Sequence, residues 1–324
     1  MRRPPAAPPR LARPALRRRV WLGLPVLAAL AAALPAAAAA GEPDLLDSPV
    51  LRKVRDTGVI VLGHRINSVP FSYLDGNRRP VGYSIELCER VVDAVRRRLG
   101  LRELEIKRVA VTSATRLPLV ANGSVDMECG VTTNTAERQK SQAFSVTTFV
   151  AASRLLTRRD SGIQTLDDLR GKVVASTIAT TSIRYLASVN DSLGLGMRIV
   201  AGQDDVDAFH LVQTGQAAAF AMDDVLLRSL LAAAADRDDY SISSDALSVE
   251  PYGIGLPRDD AVFKRLVDEV LTGLYRSGQI HDIYQRWFLQ RIPGRGLNLN
   301  LPMSEPLRRA IARPTDDPDP QRYR

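Results

Sequence analysis

Only two cysteines, Cys88 and Cys129, and three scattered histidines, His64, His210 and His281, occur in 324 residues. Neither set has metal-ligand spacing, so no metal or other cofactor is expected. Two cysteines allow one disulfide at most. Spacing alone does not tell whether their Cα atoms come within bridging distance, so a disulfide and two buried thiols both stay open. A GxxxxGK[ST] pattern is absent, which excludes a nucleotide P-loop. No repeat of solenoid period occurs. Beyond the first forty residues no apolar run is long enough to span a bilayer.

Acidic residues are missing from residues 1–40, which hold seven arginines (Arg2, Arg3, Arg10, Arg13, Arg17, Arg18 and Arg19). An alanine-rich apolar run from Val20 to Ala40 follows, before Gly41-Glu42-Pro43. A basic start, an apolar centre and a small-residue end are the order of a secretory signal peptide. Residues 1–40 are therefore read as an export signal and the protein as periplasmic. An uncleaved anchor is the alternative, since the run approaches the ~20 residues that cross a membrane. Arg18-Arg19-Val20-Trp21-Leu22 also resembles a twin-arginine signal, which leaves the export route open. No cysteine near the cleavage zone offers a lipid anchor. Taking those seven arginines from the net charge of +8 leaves +1. The only argument for a nucleic-acid partner goes with them.

What is present is alternation. Strand-like runs (Val59–Leu62, Leu104–Val109, Val125–Glu128, Lys172–Ala175, Met197–Val200, Ala217–Met222) alternate with amphipathic stretches (Ile85–Arg98, Thr181–Ser188, Asp204–Thr214, Val225–Ala234). That pattern predicts an α/β fold with mostly parallel sheets. Two extended segments, Ala143–Arg158 and Ser248–Leu256, interrupt it. They bracket about ninety residues, enough for a second domain inserted into the first, and would serve as hinges. The expected organisation is lobe 1 from 44–150 and 250–303, lobe 2 from 151–249, and a polar tail over 304–324. Ligands in open α/β sheets bind beyond the carboxyl ends of the strands. Two facing lobes would bring the loops after Leu62, Val109, Cys129, Ala175 and Met222 to one cleft.

Those loops carry matched chemistry. Cys129-Gly130-Val131-Thr132-Thr133-Asn134 is followed by Glu137 and Arg138, where a helix is predicted to start. Hydroxyls, free N–H groups at a helix start and an arginine fork suit a carboxylate. Arg65 follows the first strand. Thr112-Ser113-Ala114-Thr115-Arg116 opens another helix, where a first-turn arginine opposes the macrodipole unless an anion is near. In the inserted segment Ser176-Thr177-Ile178-Ala179-Thr180-Thr181-Ser182 offers more hydroxyls than one N-cap needs. Met222-Asp223-Asp224 places an acid at a strand end, as a cap or as the partner of an ammonium group. Arginines for carboxylates and an acid for an amine fit a free amino acid.

The segments "GVIVLGHRINSVPFSYLD", "VTSATRLPLVANGSVDMECGVTTNTAERQ" and "AAAFAMDDVLL" resemble the periplasmic glutamate/aspartate-binding proteins of bacterial ABC importers, in the polar amino-acid solute-binding family. The similarity runs from about Leu51 to about Met303. It implies a two-lobe clamshell of two α/β domains joined by two hinge strands. Such a protein is a monomer and no enzyme; it captures a free amino acid and presents it to ABC permease membrane subunits. The resemblance implies that Thr133 and Arg138 grip the α-carboxylate, with Thr181 helping from the other lobe. It gives Asp223 the α-ammonium, and Arg65, Ser113 and Arg116 the side-chain carboxylate.

Two positions depart from the family pattern. Val131 replaces a serine that contacts the ammonium, although its backbone carbonyl can still accept. Asp205 replaces a histidine near the side-chain carboxylate, which makes glutamine or asparagine a rival to glutamate or aspartate. Other classes also use this fold. A dehydratase of cyclic amino-acid precursors would need Glu128 or Asp205 as its acid. A sensory binding module would keep the same cleft.

Overall fold

A computed structural model describes residues 44–324; the segment read as an export signal lies outside the described residues. The described residues run first through α1 (Pro49–Thr57), β1 (Val59–His64), β2 (Asn67–Ser68), β3 (Ser72–Leu74) and β4 (Pro80–Val81). Then come α2 (Tyr83–Arg98), β5 (Glu105–Ala110), α3 (Arg116–Ala121), β6 (Met127–Glu128) and β7 (Gln142–Phe144). The middle carries β8 (Phe149–Arg158), β9 (Val173–Thr177), α4 (Thr181–Leu193), β10 (Arg198–Gly202), α5 (Asp205–Gln213), β11 (Ala219–Asp223), α6 (Asp224–Ala233) and β12 (Tyr240–Ile242). Last are β13 (Ser248–Tyr252), β14 (Gly255–Pro257), α7 (Ala261–Arg276), α8 (Gln279–Tyr284) and α9 (Glu305–Ala312).

Local chemistry sets the first helix. Ser48 accepts from the Leu51 N–H at 3.0 Å, and Pro49 sits at N1, where its missing N–H costs nothing. Gly58 ends the helix at φ 68°, a left-handed position that glycine takes without strain. The Ser48 hydroxyl also donates to Asp260 at 2.6 Å, the N-cap of α7, and so ties the start of the chain to its later third. Val50, Leu51 and Val54 are buried beneath α1, each worth about 1.5–3 kcal/mol when fully covered.

The first sheet has the order β5-β1-β6-β14-β7. Strand β1 runs parallel to β5, from Val59 opposite Glu105 to His64 opposite Ala110. Strand β14 comes from the late part of the chain yet pairs with β6 and β7. The second sheet has the order β10-β9-β11-β8-β12, with β9 parallel to both neighbours and β13 pairing β8. The chain thus crosses between sheets twice, and the two crossing strands lie side by side. Strands β8 and β13 are antiparallel, with Phe149 opposite Tyr252 and Ser153 opposite Ser248. Phe71, Phe149, Tyr252 and Phe288 pack around this crossing, with Phe71–Phe149 centroids 4.9 Å apart and Phe149–Phe288 centroids 5.2 Å apart. Beside a small β2-β3-β4 sheet, this is the expected α/β architecture of two main sheets joined by two extended strands.

Three local details differ from the sequence expectation. After Asn134 no α-helix forms; a 3₁₀ turn over Arg138–Lys140 turns directly into β7. A strand starting at Gln142 leaves no length for more than that turn. The run read as a strand from Val125 is paired only over Met127–Glu128. The segment 304–324 holds α9, whose Leu307, Ala310 and Ile311 recur at i, i+3 and i+4 and are buried. Its end is pinned by Tyr323, whose hydroxyl pairs with Thr147 at 2.8 Å. Among the described residues no helix is long and apolar enough to cross a membrane, and no group of three potential ligands could hold a metal ion.

Cys88 of α2 and Cys129 at the end of β6 are bonded, with Cα atoms 6.3 Å apart. The bridge fastens the central strand of the first sheet to the helix that covers it. Cys129 immediately precedes the Gly130–Thr133 loop.

Candidate functional site

A small, nearly closed cavity of about 10 Å³ lies where the strand ends of the two sheets meet. From the first sheet come Arg65 after β1, Ser113 and Arg116 at the start of α3, and Val131 and Thr133 after β6. From the second come Thr180, Thr181 and Ser182 at the start of α4, Asp205 opening α5, and Met222 and Asp223 ending β11. Eight of the nine residues picked out from the sequence therefore line one cavity. The ninth, Arg138, stands directly behind Thr133 and donates from Nη1 to the Thr133 carbonyl at 2.7 Å. A neighbouring cavity of about 120 Å³ shares Asp205 but is walled by Val69, Leu226, Leu230 and Leu297. The smaller one carries the charge pattern.

The arginines are buried and only partly bonded. Arg65, Arg116 and Arg138 are each 3 % exposed. Arg116 Nη1 donates to the Val131 carbonyl at 3.0 Å. Arg65 Nη1, Arg116 Nε, and Arg138 Nε and Nη2 have no acceptor in the protein. A buried donor left unmet costs about 1–3 kcal/mol, more when charged, so this end of the cavity is built to receive an anion. Burial lowers Arg116 to about 10, with the nearby Glu128 opposing the shift. Burial also lowers Arg138 to about 9, and the neighbouring cations Arg116 and Arg184 add to it. Both remain charged at neutral pH.

The opposite wall is acidic. Asp223 Oδ1 has no partner, while Oδ2 accepts from the Tyr252 hydroxyl. Burial first, then the charge of Glu250, hold the Asp223 carboxyl well above the usual carboxylate range. An incoming ammonium group would relieve both effects. Glu250 accepts from the Thr181 hydroxyl at 2.7 Å and from Ser248. The Thr181 hydroxyl is thus spent on Glu250. What it offers a carboxylate is its backbone N–H at the start of α4, where the helix dipole is positive. Thr180 caps that helix by accepting from Ile183 N–H.

Several residues here were not singled out by sequence reasoning. Tyr252 and Glu250 fell inside a segment read only as a hinge. Their signal was period two: residues i and i+2 of a strand share a face, and an acid and a tyrosine at that spacing mark a polar face. Thr177, from the hydroxyl run, donates to Asp205 at 2.6 Å. Glu128 is 1 % exposed and accepts from Thr132 at 2.6 Å, lying behind the arginines rather than in the cavity wall.

Glycine at position 130 is required by this layout. A Cβ there would sit 2.2 Å from Glu128 Oε1 and 3.1 Å from Arg65 Cγ. Gly130→Ala is expected to push both side chains aside at a cost of about 1–3 kcal/mol. The melting temperature should fall and ligand affinity should fall with it. Thermal unfolding and calorimetry of this one variant check both.

The model of the bacterial extracellular solute-binding proteins, family 3, matches residues 60–290. The L-glutamate/L-aspartate-binding protein of Pseudomonas aeruginosa is 46 % identical over 281 residues, covering 84 % of this chain and 93 % of that protein. The glutamate/aspartate import solute-binding protein of Escherichia coli is 40 % identical over 295 residues, covering 91 % and 95 %. Among solved structures, holo ArgBP from T. maritima is similar with a TM-score of 0.61 and 29 % identity, over 72 % of this chain and 98 % of that one. The relatives quoted carry the names of binding and import proteins, and the dehydratase alternative gains nothing from them.

Proposed function

Since the chain belongs to the bacterial extracellular solute-binding proteins, family 3, we propose that it captures glutamate or aspartate by closing two lobes on it and delivers it to the membrane subunits of an ABC permease. The observation that carries this reading is one cavity with two buried, under-bonded arginines on one wall, a third, Arg138, directly behind that wall, and a buried, half-partnered aspartate on the other. Arg138 and Thr133, helped by the Thr181 N–H, take the α-carboxylate. Asp223 takes the α-ammonium, and the Val131 carbonyl, already accepting from Arg116, has a second lone pair to offer it. Arg65, Ser113 and Arg116 take the side-chain carboxylate.

The two lobes are 44–150 with 250–303, and 151–249, and β8 and β13 act as the hinge between them. Ligand shifts a pre-existing equilibrium toward the closed form, because only there do both walls touch it. The protein works as a monomer in the periplasm after removal of residues 1–40. Glutamine and asparagine compete for the same cavity, because Asp205 faces the side-chain end.

A thermal-shift screen of the twenty amino acids tests this. A ligand that binds only the folded form raises the melting temperature by mass action, by about 2.7 kcal/mol of stability at a hundred times Kd. Glutamate and aspartate are expected to give the largest shifts. A screen in which an apolar or cationic amino acid leads would overturn the assignment.

A further inference from the structure

Helix capping does not explain the burial of Asp205, whose Oδ1 accepts from the Thr177 hydroxyl at 2.6 Å. It is the first residue of α5 and only 4 % exposed. The cap of that helix is its neighbour Asp204, whose Oδ1 accepts from the N–H groups of Val206 and Asp207. Asp205 instead turns into the cavity that Arg65 and Arg116 line from the other side. Among the described residues neither arginine forms an ion pair with it within 4.0 Å. An acid thus faces two guanidinium groups across a gap.

Charges from each adjoining element bear on this gap. Arg65 follows β1 beside buried His64, Arg116 starts α3, and Glu128 of β6 lies behind Arg116. Asp204 stands at the start of α5, held by Asn67 at 2.7 Å, and Asp223 ends β11. Near the side-chain end, two cations are already balanced by two acids, Asp205 and Glu128. A ligand carboxylate brings a third acid. Two carboxylates facing the same cations do not both stay ionised cheaply, and one proton held between them removes the conflict. A side-chain amide brings no charge, and its NH₂ group gives Asp205 a donor.

We propose that Asp205 makes this cavity choose between acidic and amide side chains according to pH: glutamate enters together with one proton from solvent, and glutamine enters without one. This rests on the reading of the cavity as an amino-acid site. The proton lies between Asp205 Oδ2 and the ligand side-chain carboxylate, while Oδ1 keeps its bond from Thr177. Burial already holds the Asp205 carboxyl above its ordinary range, and Arg65 and Thr177 oppose that rise. A second carboxylate raises it further.

The sign follows from linkage. Between the pKa of Asp205 in the free protein and its higher value in the glutamate complex, the complex holds one more proton than its separated parts. Glutamate affinity therefore rises as pH falls, by up to about tenfold per pH unit, and levels off below the lower value. Any proton that Asp223 releases on meeting the ammonium is common to both ligands and cancels when they are compared.

Calorimetry of glutamate and glutamine binding tests this in native protein and Asp205→Asn, from about pH 5 to about pH 8. Two buffers of different ionisation enthalpy give the proton count. In the native protein glutamate should take up close to one more proton than glutamine, and its advantage over glutamine should grow as pH falls. In Asp205→Asn that difference should vanish, and glutamate should bind on the order of tenfold tighter at the alkaline end. Equal proton counts for the two ligands in the native protein would overturn the proposal, as would an unchanged pH slope in the variant. Glutamine failing to bind at every pH would also overturn it. The comparison of ligands needs no variant, so it stands even if Asp205→Asn does not fold. If neither ligand binds at any pH, the amino-acid reading itself is lost.

Discussion

Arg138→Ala is expected to weaken glutamate binding by about a hundredfold, read by calorimetry at neutral pH. Hydrogen bonds to charged groups contribute about 1.5–3 kcal/mol each, and every 1.4 kcal/mol is tenfold in affinity. Arg138 is fixed at one corner by the Thr133 carbonyl, and its Nε and Nη2 have no other acceptor. Those two form the fork that a carboxylate accepts in parallel. Lysine at 138 should recover only part of the loss, because a point charge cannot reproduce the fork. The protein without ligand should lose little stability, since removing a buried cation also removes its desolvation cost. An unchanged Kd in Arg138→Ala would remove Arg138 from the site. A collapse of stability would make its role structural.

Severing the Cys88–Cys129 bridge is the second large effect. The two residues are 41 positions apart, and closing a loop of that length stabilises by about 4 kcal/mol on the chain-entropy account. For a chain of this size that lowers the melting temperature on the order of 10 °C. Melting curves of the double Cys→Ala variant, or of native protein with and without a thiol reductant, measure it. Affinity should fall as well, because Cys129 anchors the loop that carries Val131 and Thr133. A double variant that melts with the native protein would show that the sheet and α2 hold that loop unaided.

The alternation of β-branched runs with amphipathic stretches was enough to place both sheets, since strands such as Val59–His64 and Ala219–Asp223 are covered by helices on their faces and carry continuous apolar residues. Arg65, Arg116 and Asp223 were legible because charged residues at strand ends in an α/β fold converge by topology. The resemblance supplied their division into roles. Less was legible where non-local pairing decides. The turn at Arg138 looked like a helix start because hydroxyls and a following acid favour one, yet the pairing of Gln142–Phe144 with β14 ends it after one turn. Glu250 and Tyr252 were hidden because a short extended run does not reveal which face meets a cavity. The disulfide depended on how α2 crosses β6, and the helix near the carboxyl end on a surface that only the assembled chain provides.

That last segment has a practical side. Asn134 and Gln139, in the loop that carries Arg138, both donate to the Asp316 carbonyl, at 2.7 Å and 3.1 Å. Just before it, the Thr315 carbonyl accepts from the Thr147 N–H at 2.8 Å. A fluorescent reporter or affinity handle fused close behind residue 324 is expected to disturb the loop of Arg138, the guanidinium proposed to hold the α-carboxylate.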